Sequence, residues 1–211
     1  EIEKARAEGQ EVYTETCPQY LLMDDSLYEL PGFESAKYVC APPLRKKEDQ
    51  DCLWKGLADG TIQTVSTDHC SFTTEQKKLG EGDFTKIPGG MPGAETRGTL
   101  IYTYGVDKGR ITKEDMCRVL SENPAKLYGL YPRKGVIAPG SDADLVIMRT
   151  GVEDVITAKD QVQNVDYAPF EGTKVTGRVV SVFLRGLQAV KDGKVVEEKK
   201  GEFLKRGKYA L

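Results

Sequence analysis

The chain has 211 residues, 39% of them hydrophobic, which is enough apolar side chain for one large core or two modest ones and excludes an extended disordered chain. Its 30 basic and 33 acidic residues are interleaved and leave a formal net charge of -3, so the sequence presents neither the basic face of a nucleic-acid binder nor an acidic tail for a basic partner. It contains no apolar run of the roughly 18 residues that a bilayer requires, and the opening EIEKARAEGQ lacks the apolar centre and cleavage signal of a secretory peptide, so a cytoplasmic protein away from membranes is predicted.

EIEKARAEG reads as a helix, with Ile2 and Ala5 on one face and Gly9 as its stop. Nothing precedes this helix to cap it and no initiator Met is present, so the chain is expected to be a portion of something longer. VYTETCPQYLLM alternates and then becomes continuously apolar, the pattern of a strand entering a buried sheet. After a loop with Pro31 and Gly32, KYVCAPPL predicts a short strand stopped by Pro42 and Pro43. Lys47 to Asp59 carries Leu53, Trp54 and Leu57 at helical spacing, with Gly60 as the stop. TIQTVSTDHC is a β-branched strand that ends at Asp68 and His69.

The stretch from Ser71 to Gly93 is rich in Gly, Thr and Lys and predicts one long loop. Helices are expected over Ala94 to Tyr104, from Thr112 behind the capping-box pattern TKED, and over NPAKLYGL with Asn123 as cap and Pro124 in the first turn. Beyond Pro132 the composition turns to β: GVIAPGSDADLVIM sets a turn between two apolar stretches, and RVVSVFLRG and LQAVKDGKVVEE are strands, the latter turning at Asp192-Gly193. A boundary is therefore placed near residue 132. The Lys/Glu run at 197 to 200 predicts a solvated strand end, and the basic tail KKGEFLKRGKYAL either a flexible end or an arm laid on a neighbouring subunit. No internal repeat is present.

Five cysteines, Cys17, Cys40, Cys52, Cys70 and Cys117, are odd in number and irregularly spaced, which suits reduced thiols rather than a disulfide framework. Asp68 is the strongest candidate for chemistry. A carboxylate at the carboxyl end of a parallel strand lies on the face where α/β folds place their sites, and it can bind a metal ion or move a proton. An aspartate there also serves, more commonly, as a cap or turn former.

His69 is the only histidine, too few for the three ligands of a typical catalytic zinc site, and is read first as a hydrogen-bonded loop residue facing away from Asp68. A Cys70/His69 nucleophilic pair is weighed and disfavoured, because adjacent residues rarely face each other. Two features offer backbone to a ligand: the glycines of IPGGMPG, otherwise a flexible turn, and Ala41 before the Pro-Pro, otherwise a strand stop. Trp54 is read as a core or interface aromatic on its helix.

Taken together, ETCPQYLLMDDSLYELPGFESAKYV, APPLRKKEDQ, DGTIQTVSTDHCSF, DFTKIPGGMPGAETR, NPAKLYGLYPRKG, GSDADLVIM, NVDYAPFEG and VVSVFLRG resemble, in order and over essentially the whole chain, the dihydropyrimidinase and D-hydantoinase family of amidohydrolases. The resemblance implies an α/β chain: residues 1-132 as the C-terminal part of a (β/α)8 barrel and 133-211 as strands of a small β-sandwich plus the tail. It implies hydrolysis of cyclic amides and ureides, and two divalent metal ions, zinc in most members. These are held by an HxH pair, a carboxylated lysine, two further histidines and one aspartate. Only the aspartate, Asp68, has a counterpart here, as metal ligand and proton shuttle.

Backbone groups that grip the substrate's amide edge correspond to Ala41, where Ser is usual, and Gly89, where Asn is usual. The resemblance further implies a homotetramer, and no hydrolysis by this stretch alone. A metal-free scaffold of the collapsin-response-mediator type is the second reading, disfavoured because those proteins lack the aspartate. Allantoinase and dihydroorotase are weaker matches.

Overall fold

A computed structural model of the chain describes residues 1-197 and 201-211. α1 (Ile2–Ala7) ends ahead of Gly9, whose φ of +83° reverses the chain as the sequence anticipates. β1 is only Glu15–Thr16, and the apolar run behind it forms α2 (Pro18–Leu22) rather than the expected strand. Pro18 explains the difference, because at the first helical position its preset φ is already helical and its missing N–H is not needed. The strand expected at KYVCAPPL is also absent, and a 3-10 turn over Glu34–Tyr38 leads into irregular backbone. Pro42 and Pro43 bring no donors, and the Val39 carbonyl is taken by the Gly90 N–H at 2.9 Å.

α3 (Lys47–Asp59) follows its predicted bounds and stops at Gly60, φ +83°. It carries the chain over to β2 (Thr64–Val65), which pairs in parallel with β1, Glu15 opposite Thr64 and Thr16 opposite Val65. Parallel neighbours require such a crossover, and α3 supplies it.

Ser71 to Gly93 is not a single loop. Thr73 caps α4 (Thr74–Lys77) reciprocally with Gln76, and 3-10 turns occupy Lys78–Gly80 and Phe84–Lys86. The Thr73-x-x-Gln76 spacing is a capping-box signature that length and composition obscure.

α5 (Arg97–Ile101) passes into a π-helical turn at Tyr102–Val106. α6 (Lys113–Cys117), capped by Thr112 with Asp115 as expected, continues through a π-helical turn at Arg118–Glu122 into α7 (Asn123–Leu127). Asn123 is therefore inside a continuous rod and not a cap. Its side-chain amide is buried and donates to the Gln63 carbonyl at 2.8 Å, tying the rod to the approach of β2. The wide π turn ahead of Pro124 accommodates the ring and the missing N–H that a regular helix interior rejects.

Two apolar clusters hold these pieces. Leu21, Trp54, Leu57, Ile62, Val65, Ile101, Ile111 and Val119 pack together, with the Trp54 indole donating to the Leu21 carbonyl at 3.2 Å. Met23, Leu44, Met91, Leu100, Ile156, Ala168, Phe170 and Val175 form the second, and Leu22 and Tyr104 touch both.

The C-terminal third is β as expected. β3 (Leu145–Val155), β4 (Lys174–Leu184), β5 (Leu187–Lys191) and β6 (Lys194–Val195) form an antiparallel sheet in that order. Arg185-Gly186 and Asp192-Gly193 turn β4 into β5 and β5 into β6, with positive φ at all four residues, the handedness that matches strand twist. GVI ahead of the Pro-Gly turn is not a strand, and Ile137 is exposed. No β3 residue is buried, and Val146 and Ile147 are 60% and 48% exposed. Between β3 and β4 the chain leaves the sheet to insert Ala168 and Phe170 into the second cluster.

Of the Lys/Glu run, residues 198-200 lie outside the described ones. The tail is laid on its own chain: Gly207 N–H donates to the Gly129 carbonyl at 2.7 Å, Ala210 N–H to the Lys126 carbonyl at 3.0 Å, and Tyr13 hydroxyl to the Leu211 carbonyl at 2.7 Å. Tyr209 hydrogen-bonds Glu11. These intramolecular contacts tie down residues 207-211, so this part of the tail is not a free end.

Candidate functional site

β1 and β2 are parallel, so their carboxyl ends open on the same side. There Ser66 N–H donates to the Thr16 carbonyl at 2.9 Å, Cys17 Sγ contacts Ser66 Oγ at 3.3 Å, and the Gln19 side-chain amide donates to the Thr67 carbonyl at 3.3 Å. Three residues past β2 stands Asp68, exposed, with φ +47°. Aspartate is among the few non-glycine residues that visit this left-handed region without large cost, so turn former and chemical group are compatible roles for the same side chain. The strand has already ended here, so the alternation that placed His69 opposite Asp68 does not apply.

His69 is a hydrogen-bonded loop residue, as favoured from sequence. Its Nδ1 accepts from Gly93 N–H at 3.0 Å and Ala94 N–H at 3.2 Å, which leaves the imidazole proton on Nε2. With Nδ1 occupied and Nε2 protonated, His69 has no free lone pair to take a thiol proton, and the Cys70/His69 pair is discarded. Burial pushes the Cys17 thiol up from its ordinary range, with Glu15 and Asp68 adding to the rise and Ser66 opposing it, and burial likewise raises Cys40. The described cysteines are free, none in a disulfide.

The glycine run is not a loose turn. Cys70 N–H donates to the Met91 carbonyl at 3.0 Å, His69 and Met91 form a parallel bridge, and Gly90 N–H donates to the Val39 carbonyl. Gly90 has φ +130°, and a Cβ there would lie 2.5 Å from the Cys70 Cβ. Gly80 presses on the start of the run, where a Cβ would meet the Ile87 backbone nitrogen at 2.4 Å. Gly89 is different: it is exposed and a Cβ would meet nothing within 4 Å. Gly89→Asn is therefore expected to change stability by less than about 0.5 kcal/mol, as open surface positions do. Thermal denaturation checks this, and a much larger loss would mean that the position is not open.

Ala41 is exposed on the neighbouring segment. Tyr20 hydroxyl donates to the Pro42 carbonyl at 3.0 Å, Cys40 Sγ to the same oxygen at 3.2 Å, and the Leu44 N–H donates to Tyr28 hydroxyl at 2.8 Å. Burial lifts the Tyr20 phenol far above its usual range and the Tyr28 phenol to about 12, so both stay neutral and serve as hydrogen-bonding struts. The fold thus gathers the segments that bear Asp68, Ala41 and Gly89.

The sequence reading missed Lys77. It is fully buried, and its ammonium donates to the carbonyls of Val39 at 3.1 Å, Pro88 at 2.7 Å and Gly90 at 2.8 Å. No local pattern separates it from its neighbour Lys78, which is exposed. Among the described residues, no three His, Cys, Asp or Glu side chains converge as a metal site requires, so the donors present do not build a metal centre by themselves.

The model of the amidohydrolase family matches residues 21-196, and the chain belongs to that family. Its relatives include hydantoinases and dihydropyrimidinases. The D-hydantoinase of Geobacillus stearothermophilus is 51% identical over 210 residues, which are 99% of this chain and 45% of that protein. The solved D-hydantoinase of Bacillus sp. AR9 superposes with a TM-score of 0.96 at 48% identity over 100% of this chain and 46% of that one. The dihydropyrimidinase of Brevibacillus agri NCHU1002 gives 0.90 at 48% identity over 92% and 42%. The chain therefore spans a little under half the length of these relatives.

Proposed function

We propose that the chain is part of a hydrolase that opens cyclic amides, namely dihydropyrimidines and hydantoins. The observation that carries this reading is Asp68, an exposed carboxylate beyond the carboxyl end of a parallel strand, on a segment bonded to the stretch 91-94, which is joined in turn to the Ala41 segment through the Gly90 N–H and the Val39 carbonyl. In this reading residues 1-132 are the C-terminal part of a (β/α)8 barrel and 133-211 are sandwich strands with the tail. A two-stranded parallel sheet and an antiparallel sheet with exposed Val146 and Ile147 both suit pieces of larger layers, with the covering strands contributed from outside this stretch.

Asp68 takes a proton from the attacking water and passes it to the ring nitrogen that leaves, while backbone groups at Ala41 and Gly89 hold the amide edge of the ring. Two divalent metal ions, zinc in this reading, would activate the water and polarise the carbonyl. Asp68 is the ligand this chain provides, and the histidines and the bridging carboxylated lysine lie outside it. The protein is read as a cytoplasmic homotetramer. Among the described residues no helix is long and apolar enough to cross a membrane.

Full-length protein carrying this sequence is expected to bind two metal ions per chain and to open dihydrouracil or hydantoin, measured by metal analysis and loss of ring absorbance. The 211-residue chain alone is expected to do neither, and turnover by it would overturn the assignment of the remaining ligands to residues outside it. The scaffold alternative predicts metal-free, inactive full-length protein. It is the weaker reading because the relatives above carry enzyme names and Asp68 is retained.

A further inference from the structure

A buried lysine without a carboxylate partner is costly, because its charge is removed from water with no opposite charge to compensate. Among the described residues, Lys77 is in that position. It is 0% exposed, and its partners are three main-chain carbonyls together with the Phe72 ring, whose centroid is 5.8 Å from the ammonium. An ammonium has three donors, and all three are used. Burial moves its titration down to about 8, with Cys40 and Cys70 opposing the shift, so the cation still prevails at neutral pH.

The identity of the three acceptors is informative. Pro88 and Gly90 flank Gly89 on both sides, and Val39 is two residues before Ala41. The Gly90 N–H to Val39 carbonyl bond closes the same junction from the other direction. Lys77 itself is the last residue of α4, a short helix with reciprocal capping, and the turn that follows is packed through Gly80 onto Ile87. The cation is therefore anchored on one element and reaches two others.

We propose that Lys77 is a positioning residue for substrate: it sets the distance between the Ala41 and Gly89 segments, so that their backbone groups meet the amide edge of the ring together. This rests on the function proposed above. It assigns Lys77 no contact with substrate and no part in proton transfer. Its removal should therefore weaken ground-state and transition-state binding alike, raising KM and leaving kcat.

The test uses metal-loaded full-length protein with Lys77→Met, which keeps length and removes every donor, and Lys77→Gln, which keeps two. Lys77→Met is expected to raise KM for dihydrouracil by about tenfold or more, the loss of one good hydrogen bond's worth of binding, with kcat within about threefold and metal content unchanged. Lys77→Gln is expected to give a smaller rise in the same direction. Amide hydrogen exchange should accelerate in 39-43 and 87-93 while β4 keeps its protection.

Wild-type KM in both variants, or a loss of kcat without a change in KM, overturns the proposal. If Lys77→Met does not fold, Lys77→Gln decides by the same criteria. Active wild-type protein with unaffected variants refutes this inference alone, whereas inactive wild-type protein refutes the proposed function and this inference with it.

Discussion

Asp68→Asn in the full-length protein is expected to lower kcat/KM for ring opening by about 10³- to 10⁴-fold while leaving the folded structure intact. Asparagine has the same shape and accepts the left-handed backbone that Asp68 adopts at φ +47°, so the substitution separates the carboxylate from the turn. Because Asp68 is exposed, the change in stability is expected to stay within about 0.5 kcal/mol. Under the proposed function metal content should fall as well, since the carboxylate proposed as a ligand is replaced by a neutral amide. Steady-state kinetics, metal analysis and thermal denaturation read the three effects independently. Activity within tenfold of wild type would reduce Asp68 to a turn former.

Gly90→Ala is expected to cost about 3 kcal/mol or more and to release the glycine run from its neighbours. Two penalties act at this residue: φ +130° is a conformation that L-residues hold only at roughly 1 to 3 kcal/mol, and the new methyl would lie 2.5 Å from Cys70 Cβ and 2.7 Å from its Sγ. If the run yields, the Gly90 N–H bond to Val39 and the Lys77 bond to the Gly90 carbonyl are lost together. Denaturant unfolding and exchange of the Gly90 and Cys70 amides measure both consequences. Adding Cys70→Ala should not rescue, because the offending Cβ remains. Cys70→Gly should recover only the steric part. A Gly90→Ala protein of wild-type stability would mean that the approach of these two segments is not as close as described.

Much of the candidate site is assembled from backbone, and that is why its parts differ in legibility. Asp68 could be singled out because a carboxylate at the end of a β-branched run is visible in one dimension, and the chain-long resemblance implied the role proposed for it. Lys77 could not, because its importance comes from three carbonyls that are 38, 11 and 13 residues away in sequence. His69 was read correctly as a loop residue, but for a reason that the positive φ at Asp68 removes. The segments that misled were those with proline. Pro18, Pro42 and Pro124 each changed the expected element, into a helix start, an irregular link and the far side of a π turn.

The sequence by itself determined the elements whose stabilisation is local: α3 with its apolar spacing and Gly60 stop, the Thr112/Asp115 cap, and the hairpin turned by Asp192-Gly193. It also determined the family, because ordered blocks of residues survive without reference to space. The tertiary structure alone decided the rest. The path of the tail over α7, the burial of Phe170 in the second cluster, the close approach of Gly90 to Cys70 and the cation of Lys77 among three carbonyls are all contacts between distant residues. Such contacts depend on which carbonyls and which apolar faces remain unpaired once the helices and strands have formed, and no local pattern of residues encodes that.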